Sequence, residues 1–279
     1  MRIANVEGRL TLLTAGGGVD VATASNGRFS ADPQAAYEAW DELRHWAATS
    51  GAQESTVDID AAAFGPPAPW PRQVFAVGLN YREHAAEGGY TTLPDEPVVF
   101  TKYASSLTGP VTEVVLPEGS VDWEVELVAV VGRTARHVDA GRAWDHIAGL
   151  TVGQDLSERQ RQKCGPAPQF GLAKSHPGFS PTGPVLVTPD ELADPDDVAI
   201  GCALGGEEMQ KARTSDMIFP IPHLVAHLSS LLTLLPGDLI FTGTPAGVGV
   251  GRTPQRFLAP GEELVSWVDG IGELRQRFT

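Results

Sequence analysis

The chain reads as an α+β protein, mainly β, with a small N-terminal α+β domain (residues 1–70) ahead of a larger β-rich domain (71–279). Three observations predict this. Short Val-, Ile- and Leu-rich runs recur along the chain, separated by Pro-Gly turns such as "LPGDL" and "APGEEL". Few segments carry apolar residues at helical spacing. Between Phe64 and Pro71 the segment "FGPPAPWP" packs four prolines into six residues, a stiff connector that continues neither helix nor sheet.

Before the connector, strands are expected around Ile3 to Val6 and Leu10 to Leu13. One helix follows, capped by Asp32, with Pro33 in its first turn and Tyr37, Trp40, Leu43 and Ala47 as its apolar stripe. Beyond it the strand-like runs are "VFAVGL", "PVVF", "EVELVAVV", "IAGLTVG", "PVLV", "DVAIGCAL", "DLIFTG" and "EELVSWV". A second helix begins near Pro222, with Leu224, Leu228, Leu231 and Leu235 at helical spacing. This order is not the regular βαβ alternation of a doubly wound fold.

Composition excludes several functions. A chain of 279 residues with 42% hydrophobic content can bury a large core. A net charge of −15 and no basic run argue against a nucleic-acid partner. Cys164 and Cys202 are too few for a disulfide framework and read as ordinary thiols. No leader pattern and no membrane-length apolar run is seen, so no membrane partner is expected and the location is expected to be cytoplasmic.

The acids of "VDWEVELVAVVGR" pose the sharpest question. Asp122, Glu124 and Glu126 alternate along a strand, so their carboxylates share a face, while Trp123, Val125 and Leu127 face the other way. A solvated face would explain this. Yet five apolar residues follow without a break, which suggests cover on both sides, and crowded carboxylates in a dry site require a compensating cation. Oxygen-only donors suit a hard divalent ion.

Other clusters bear on chemistry. In "GLNYREHAAEGG", His84 precedes Glu87 by three residues, a helical spacing that lets the carboxylate fix the imidazole tautomer; a general base and a plain surface turn both fit. Gly88, Gly89 and the polar run to Pro97 suggest a loop that closes over a site. "GLTVGQDLSERQRQ" supplies Asp155, Arg159 and Gln162, and "GLAKSHPGF" supplies Lys174. His223 and His227 lie four apart, but without a neighbouring acid motif they read as helix-flank residues. "GTPAGVGVGRT" lacks the order of a phosphate loop; its glycines suit close backbone approach or sharp turning, with Thr244 offering a hydroxyl.

Taken together, "NYREHAAE", the Glu-x-Glu of "DWEVELVAVVG", the Asp of "VGQDLSERQRQ", the Lys-Ser of "LAKSHPGFSPTGP", "TSDMIFPIPHLVAHLS" and "LLPGDLIFTGTPAGVG" resemble the fumarylacetoacetate hydrolase family, in unbroken order from Pro71 to Phe278. The resemblance implies a mixed β-roll catalytic domain, usually dimerised. It implies Glu124, Glu126 and Asp155 as ligands of Mg²⁺ or Mn²⁺, with Ca²⁺ an acceptable occupant in crystals. It further implies a small anionic 2-oxo acid substrate contacted by Arg159, Gln162 and Thr244. The expected reaction is hydrolysis of a C–C bond in a 2,4-dioxo acid of acylpyruvate or fumarylpyruvate type. His84, oriented by Glu87, would activate water; Lys174 would neutralise oxyanion charge; and pyruvate would leave as a metal-bound enolate. An isomerase or decarboxylase of related 2-oxo dicarboxylates, such as 2-oxo-heptenedioate or oxaloacetate, is the alternative. A non-catalytic carboxylate binder is a third reading.

The chain departs from the family pattern in two places. Gln154-Asp155 and Ser157-Glu158-Arg159-Gln160 stand where Asn-Asp and Ser-Ala-Arg-Asp are common, and Lys174-Ser175 is followed by His176-Pro177 rather than Phe-Asp. Asp155 is kept, so these changes bear on the substrate wall more than on the ion.

Overall fold

The computed structural model describes residues 1–49, 57, 59 and 64–279, and among them β-structure dominates. All eight strand runs expected beyond the connector form strands. Beyond the connector, three further strands of four or more residues, Val111–Val114, Glu207–Arg213 and Gly272–Phe278, escaped the sequence reading, as did the two-residue strands Leu107–Thr108, Ser157–Glu158 and, as a strand of its own, Val121–Asp122. In Glu207–Arg213 and Gly272–Phe278, exposed charged residues break up the apolar pattern.

An eleven-stranded sheet forms the centre, in the order Gly17–Asp20, Arg9–Thr14, Arg2–Val6, Ser180–Val187, Ile147–Gln154, Val125–Val131, Leu239–Phe241, Val74–Gly78 and Val98–Thr101. Phe64–Gly65 pairs with Arg2–Val6, and Leu107–Thr108 pairs with Ser180–Val187. The first two residues of the proline-rich connector are therefore sheet-bonded, because Phe64 and Gly65 precede its prolines and keep their N–H donors. The sheet is mixed: Leu239–Phe241 runs parallel to Val74–Gly78, while Val125–Val131 is antiparallel to both its neighbours. A five-stranded sheet, ordered Glu207–Arg213, Ala199–Leu204, Glu263–Val268, Gly272–Phe278 and Val111–Val114, covers one face.

The strand Val125–Val131 is buried on both sides, as its apolar run predicts. Trp123, Val125, Leu127, Ala129 and Val131 enter the core beneath the five-stranded sheet with Cys202, Leu264 and Leu274. Val128 and Val130 enter a second core with Phe241, Leu186 and the N-terminal residues Tyr37, Trp40, Leu43 and Trp46. Fully burying side chains of this size stabilises by about 1.5–3 kcal/mol each. Glu126 and Glu124 continue the Val130–Val128 row, so this core ends in carboxylates.

Two helical expectations need correction. The N-terminal helix is split into a 3₁₀ segment, Gln34–Ala39, and an α-helix, Trp40–Thr49. Pro33 holds the capping position, although Asp32 still accepts from the Gln34 N–H at 2.9 Å. The later helix spans Ile221–Leu231 and buries Ile221, Leu224, Val225 and Leu228; Leu231 is 68% exposed and Leu235 lies beyond its end. His223 stacks on Phe219 at 5.1 Å, and neither His223 nor His227 joins a metal-binding group among the described residues. No helix among the described residues is long and apolar enough to cross a membrane.

Candidate active site and metal centre

Glu124, Glu126 and Asp155 are buried, and each offers a carboxylate oxygen within 4.8 Å of the others. Glu124 and Glu126 come from alternate positions of one segment. Asp155 lies just past the neighbouring strand Ile147–Gln154, where its N–H donates to the Glu124 carbonyl at 2.9 Å. Gln154 helps set this crossing, since its side-chain oxygen accepts from the Glu124 N–H at 2.9 Å.

Three cationic side chains face these acids. Lys174 Nζ lies 2.7 Å from Glu124 Oε2, from Asp155 Oδ2 and from the Ser157 hydroxyl. Arg159 Nη1 pairs with Glu124 Oε1 at 2.7 Å. Lys102, which the sequence reading missed, is buried with its ammonium donating to Asp155 Oδ1 and the Lys174 carbonyl. Its only signal is position: a lone lysine two residues past the apolar run Val98–Phe100.

Charge is not balanced. Asp122, Glu124, Glu126 and Asp155 are four buried acids against Lys102, Arg159 and Lys174, leaving one uncompensated negative charge. The imbalance falls on Glu126. Burial, then the Asp155 and Glu124 charges, push its carboxyl well above the usual range. Burial also works to raise Glu124, but Lys174 and Arg159 outweigh it and hold that carboxyl at about 2. Desolvation lowers Lys102, whereas for Lys174 the attraction of Asp155 and Glu124 exceeds the desolvation penalty and raises it. An all-oxygen donor set with surplus negative charge fits a hard divalent cation, and Glu124, Glu126 and Asp155 are the residues that would hold it.

Asp122 does not join the triad. Its Oδ2 accepts from Arg159 Nε at 2.8 Å and from the Val250 N–H at 2.9 Å; its Oδ1 accepts from the Gly249 N–H at 2.6 Å and the Trp123 N–H at 2.8 Å. Arg159 thus bridges Asp122 and Glu124, although the single strand expected here is interrupted: Val121–Asp122 pairs with Ser157–Glu158 in a separate two-stranded sheet, and Trp123 and Glu124 lie between it and Val125–Val131. Arg159 Nη2 is buried 2.8 Å from Asp122 Oδ2 without an aligned hydrogen bond.

The glycine-rich loop serves the protein's own anions. Gly243 N–H donates to Glu126 Oε2 at 2.7 Å, Gly247 N–H to Glu87 at 3.0 Å, and Gly249 N–H to Asp122. Gly243 and Gly247 have φ of 98° and 104°, a region glycine adopts freely. A Cβ on Gly249 would lie 1.8 Å from the Arg256 carbonyl oxygen, and one on Gly251 would lie 2.4 Å from the Glu87 side chain.

His84 and Glu87 stand on the short helix Arg82–Glu87, with His84 Nδ1 3.2 Å from Glu87 Oε2. Asn80, absent from the sequence reading, pins the helix entrance: its amide donates to the Thr242 and Phe219 carbonyls at 2.7 and 2.9 Å and accepts from the Phe219 N–H at 2.8 Å. His84, Glu124, Arg159, Gln162, Lys174 and Thr244 all line one cavity of about 350 Å³. Gln162 accepts from Arg159 Nη1 at 3.0 Å. The Thr244 hydroxyl donates to the Val125 carbonyl at 2.8 Å and accepts from Gln210 at 2.9 Å, so its proton is committed within the protein. Of the departing positions, Gln160 reaches outward to Ser120 at 3.2 Å, and His176 packs on Phe179 with centroids 4.9 Å apart; neither lines the cavity.

Comparison with known proteins agrees with this geometry. Residues 73–279 match the fumarylacetoacetate (FAA) hydrolase C-terminal family. The human mitochondrial oxaloacetate tautomerase FAHD2B is 42% identical over 223 residues, 79% of this chain and 71% of that protein. A solved chain from Mycobacterium smegmatis, provisionally designated HpcE, shares 57% identity, with a TM-score of 0.95 over 100% of this chain and 99% of its own. Maleylpyruvate hydrolase from Sphingobium sp. SYK-6, solved with manganese(II) and pyruvate, shares 28% identity, with a TM-score of 0.80 over 100% and 99% of the two chains. By the span of that match and its likeness to these relatives, the chain belongs to the fumarylacetoacetate hydrolase family.

Proposed function

We propose that this protein hydrolyses a C–C bond in a 2,4-dioxo acid, releasing pyruvate and a carboxylic acid. The observation that carries the reading is the His84–Glu87 pair opening into the same cavity as Glu124, Arg159 and Lys174. A mere anion binder needs the cations but not an oriented imidazole.

Glu124, Glu126 and Asp155 would hold a Mg²⁺ or Mn²⁺ ion, which would supply positive charge to stabilise a developing enolate. The chain's residues do the rest. Arg159, a cation lining the cavity, pairs with the substrate's carboxylate. Glu87 accepts from His84 Nδ1–H, which leaves Nε2 to remove a proton from water. The hydroxide oxygen bonds to the C4 carbonyl carbon, the C3–C4 bond breaks, and its electron pair passes to the pyruvate enolate. Lys174 offsets oxyanion charge, and the proton on His84 returns to C3.

Similarity to an oxaloacetate tautomerase supports a second reading, in which the same base and cations only move a proton beside the 2-oxo group. Acetylpyruvate, fumarylpyruvate and oxaloacetate assayed with Mn²⁺ separate the two. Hydrolysis predicts pyruvate release that Glu126→Ala abolishes and His84→Ala slows at least 100-fold. Rapid keto–enol exchange of oxaloacetate with intact acylpyruvates would instead establish the second reading.

A further inference from the structure

The charged centre fills only one part of the cavity. From Lys174 the wall turns aromatic and then aliphatic in short steps. Lys174 Nζ stands 5.2 Å from the Phe100 ring centroid, and the Phe100 and Phe170 centroids are 5.4 Å apart, edge to face. Phe170 Cε2 and Val98 Cγ1 lie 3.8 and 3.7 Å from where a Cβ on Gly78 would stand. Val98 and Phe100 share a face of the edge strand Val98–Thr101, with Gly78 directly opposite Val98, so the missing side chain opens a groove between them. Val77, Leu79 and Tyr90 also line the cavity.

Among the described residues lining the cavity, the Lys and Arg side chains are Lys174 and Arg159, and both face the acid cluster. Beyond Lys174 at its Phe100 end, no Lys or Arg among the described lining residues stands along the wall toward Phe170 and Val98. A second carboxylate pushed there would lose water without gaining a partner, whereas an alkyl or aryl group would gain burial.

We infer that the 2-oxo acid taken by this site carries an uncharged, apolar substituent of about four carbons or an aromatic ring, and that Gly78, Val98, Phe100 and Phe170 set this preference. The inference rests on the 2-oxo acid reading above. It selects an acylpyruvate with an apolar acyl group over a dicarboxylic, fumaryl-type substrate.

A matched pair of stable ligands tests it without turnover. 2-Oxohexanoate and 2-oxoadipate share a six-carbon chain and differ in having a methyl or a carboxylate at the far end. In calorimetric titrations of the full chain with Mn²⁺ present, 2-oxohexanoate is expected to bind at least 10-fold more tightly than 2-oxoadipate. It should also bind roughly 50-fold more tightly than pyruvate, from about fourfold per added methylene. Val98→Arg, on a 40%-exposed edge position, is expected to improve 2-oxoadipate at least 10-fold while weakening 2-oxohexanoate. Gly78→Ala fills the groove and is expected to weaken 2-oxohexanoate more than pyruvate. Equal or tighter binding of 2-oxoadipate by the unaltered chain overturns the inference and leaves the 2-oxo acid reading standing. Binding of none of the three ligands overturns that reading, and the inference with it.

Discussion

Replacing Asp122 with Asn tests whether this buried acid is the clasp between the Glu124–Glu126 segment, Arg159 and the glycine-rich loop. Asparagine keeps the size and one acceptor oxygen. Placed on the Trp123 and Gly249 N–H groups, that oxygen turns the amide NH₂ toward the Val250 N–H and Arg159 Nε, which now meet donors at 2.9 and 2.8 Å. A buried guanidinium loses half of its charge compensation, keeping only Glu124. Removing one partner of such a pair costs about 3–5 kcal/mol. A chain of 279 residues has an unfolding entropy near 0.6 kcal/mol per degree, so melting should fall by roughly 5–9 °C. Differential scanning calorimetry in chelator-containing buffer measures this, with Glu113→Gln on an exposed strand position as the control expected to stay within about 0.5 kcal/mol. A drop of less than about 2 °C for Asp122→Asn would refute the clasp.

Two further outcomes follow from the geometry. The Asp20 carboxyl is held at about 2, chiefly by its hydrogen bond with Arg9 at 2.6 Å. Its pKa is depressed, so the stability it contributes is present above the unfolded value of about 3.9 and is lost as pH falls through about 2. Arg9→Met should therefore flatten the melting curve's acid limb in that window, and high salt should shrink the difference, because Arg9 is half exposed. Gly249→Ala should destabilise the fold by more than about 3 kcal/mol in urea unfolding, since the new methyl meets the Arg256 carbonyl and the Asp122 carboxylate, while Gly141→Ala, with nothing within 4 Å, should be nearly neutral.

Local patterns carried much of the site. The alternation of Asp122, Glu124 and Glu126 with apolar residues announced a charged end to the buried run, although the strand breaks at Trp123 and Glu124 and Asp122 falls in another sheet. The His84–Glu87 spacing, a helical one, announced a hydrogen-bonded pair. The strands with exposed charges between their buried residues, Glu207–Arg213 and Gly272–Phe278, gave no such signal; they form because their backbones complete the ladder against Ala199–Leu204 and Glu263–Val268. Leu231 followed the helical spacing yet faces outward, since the helix ends at that residue.

By itself, then, the sequence determined the β-rich class, the acid cluster and the His84–Glu87 pair, because each rests on the period of a helix or strand. Only the tertiary structure decided that Lys102 stands under Asp155, that the glycine loop grips Glu126, Glu87 and Asp122, and that Phe100 and Phe170 wall the cavity. Those contacts join residues dozens to more than a hundred positions apart. Their energies depend on desolvation and on charges brought together by sheet order, which no local pattern encodes.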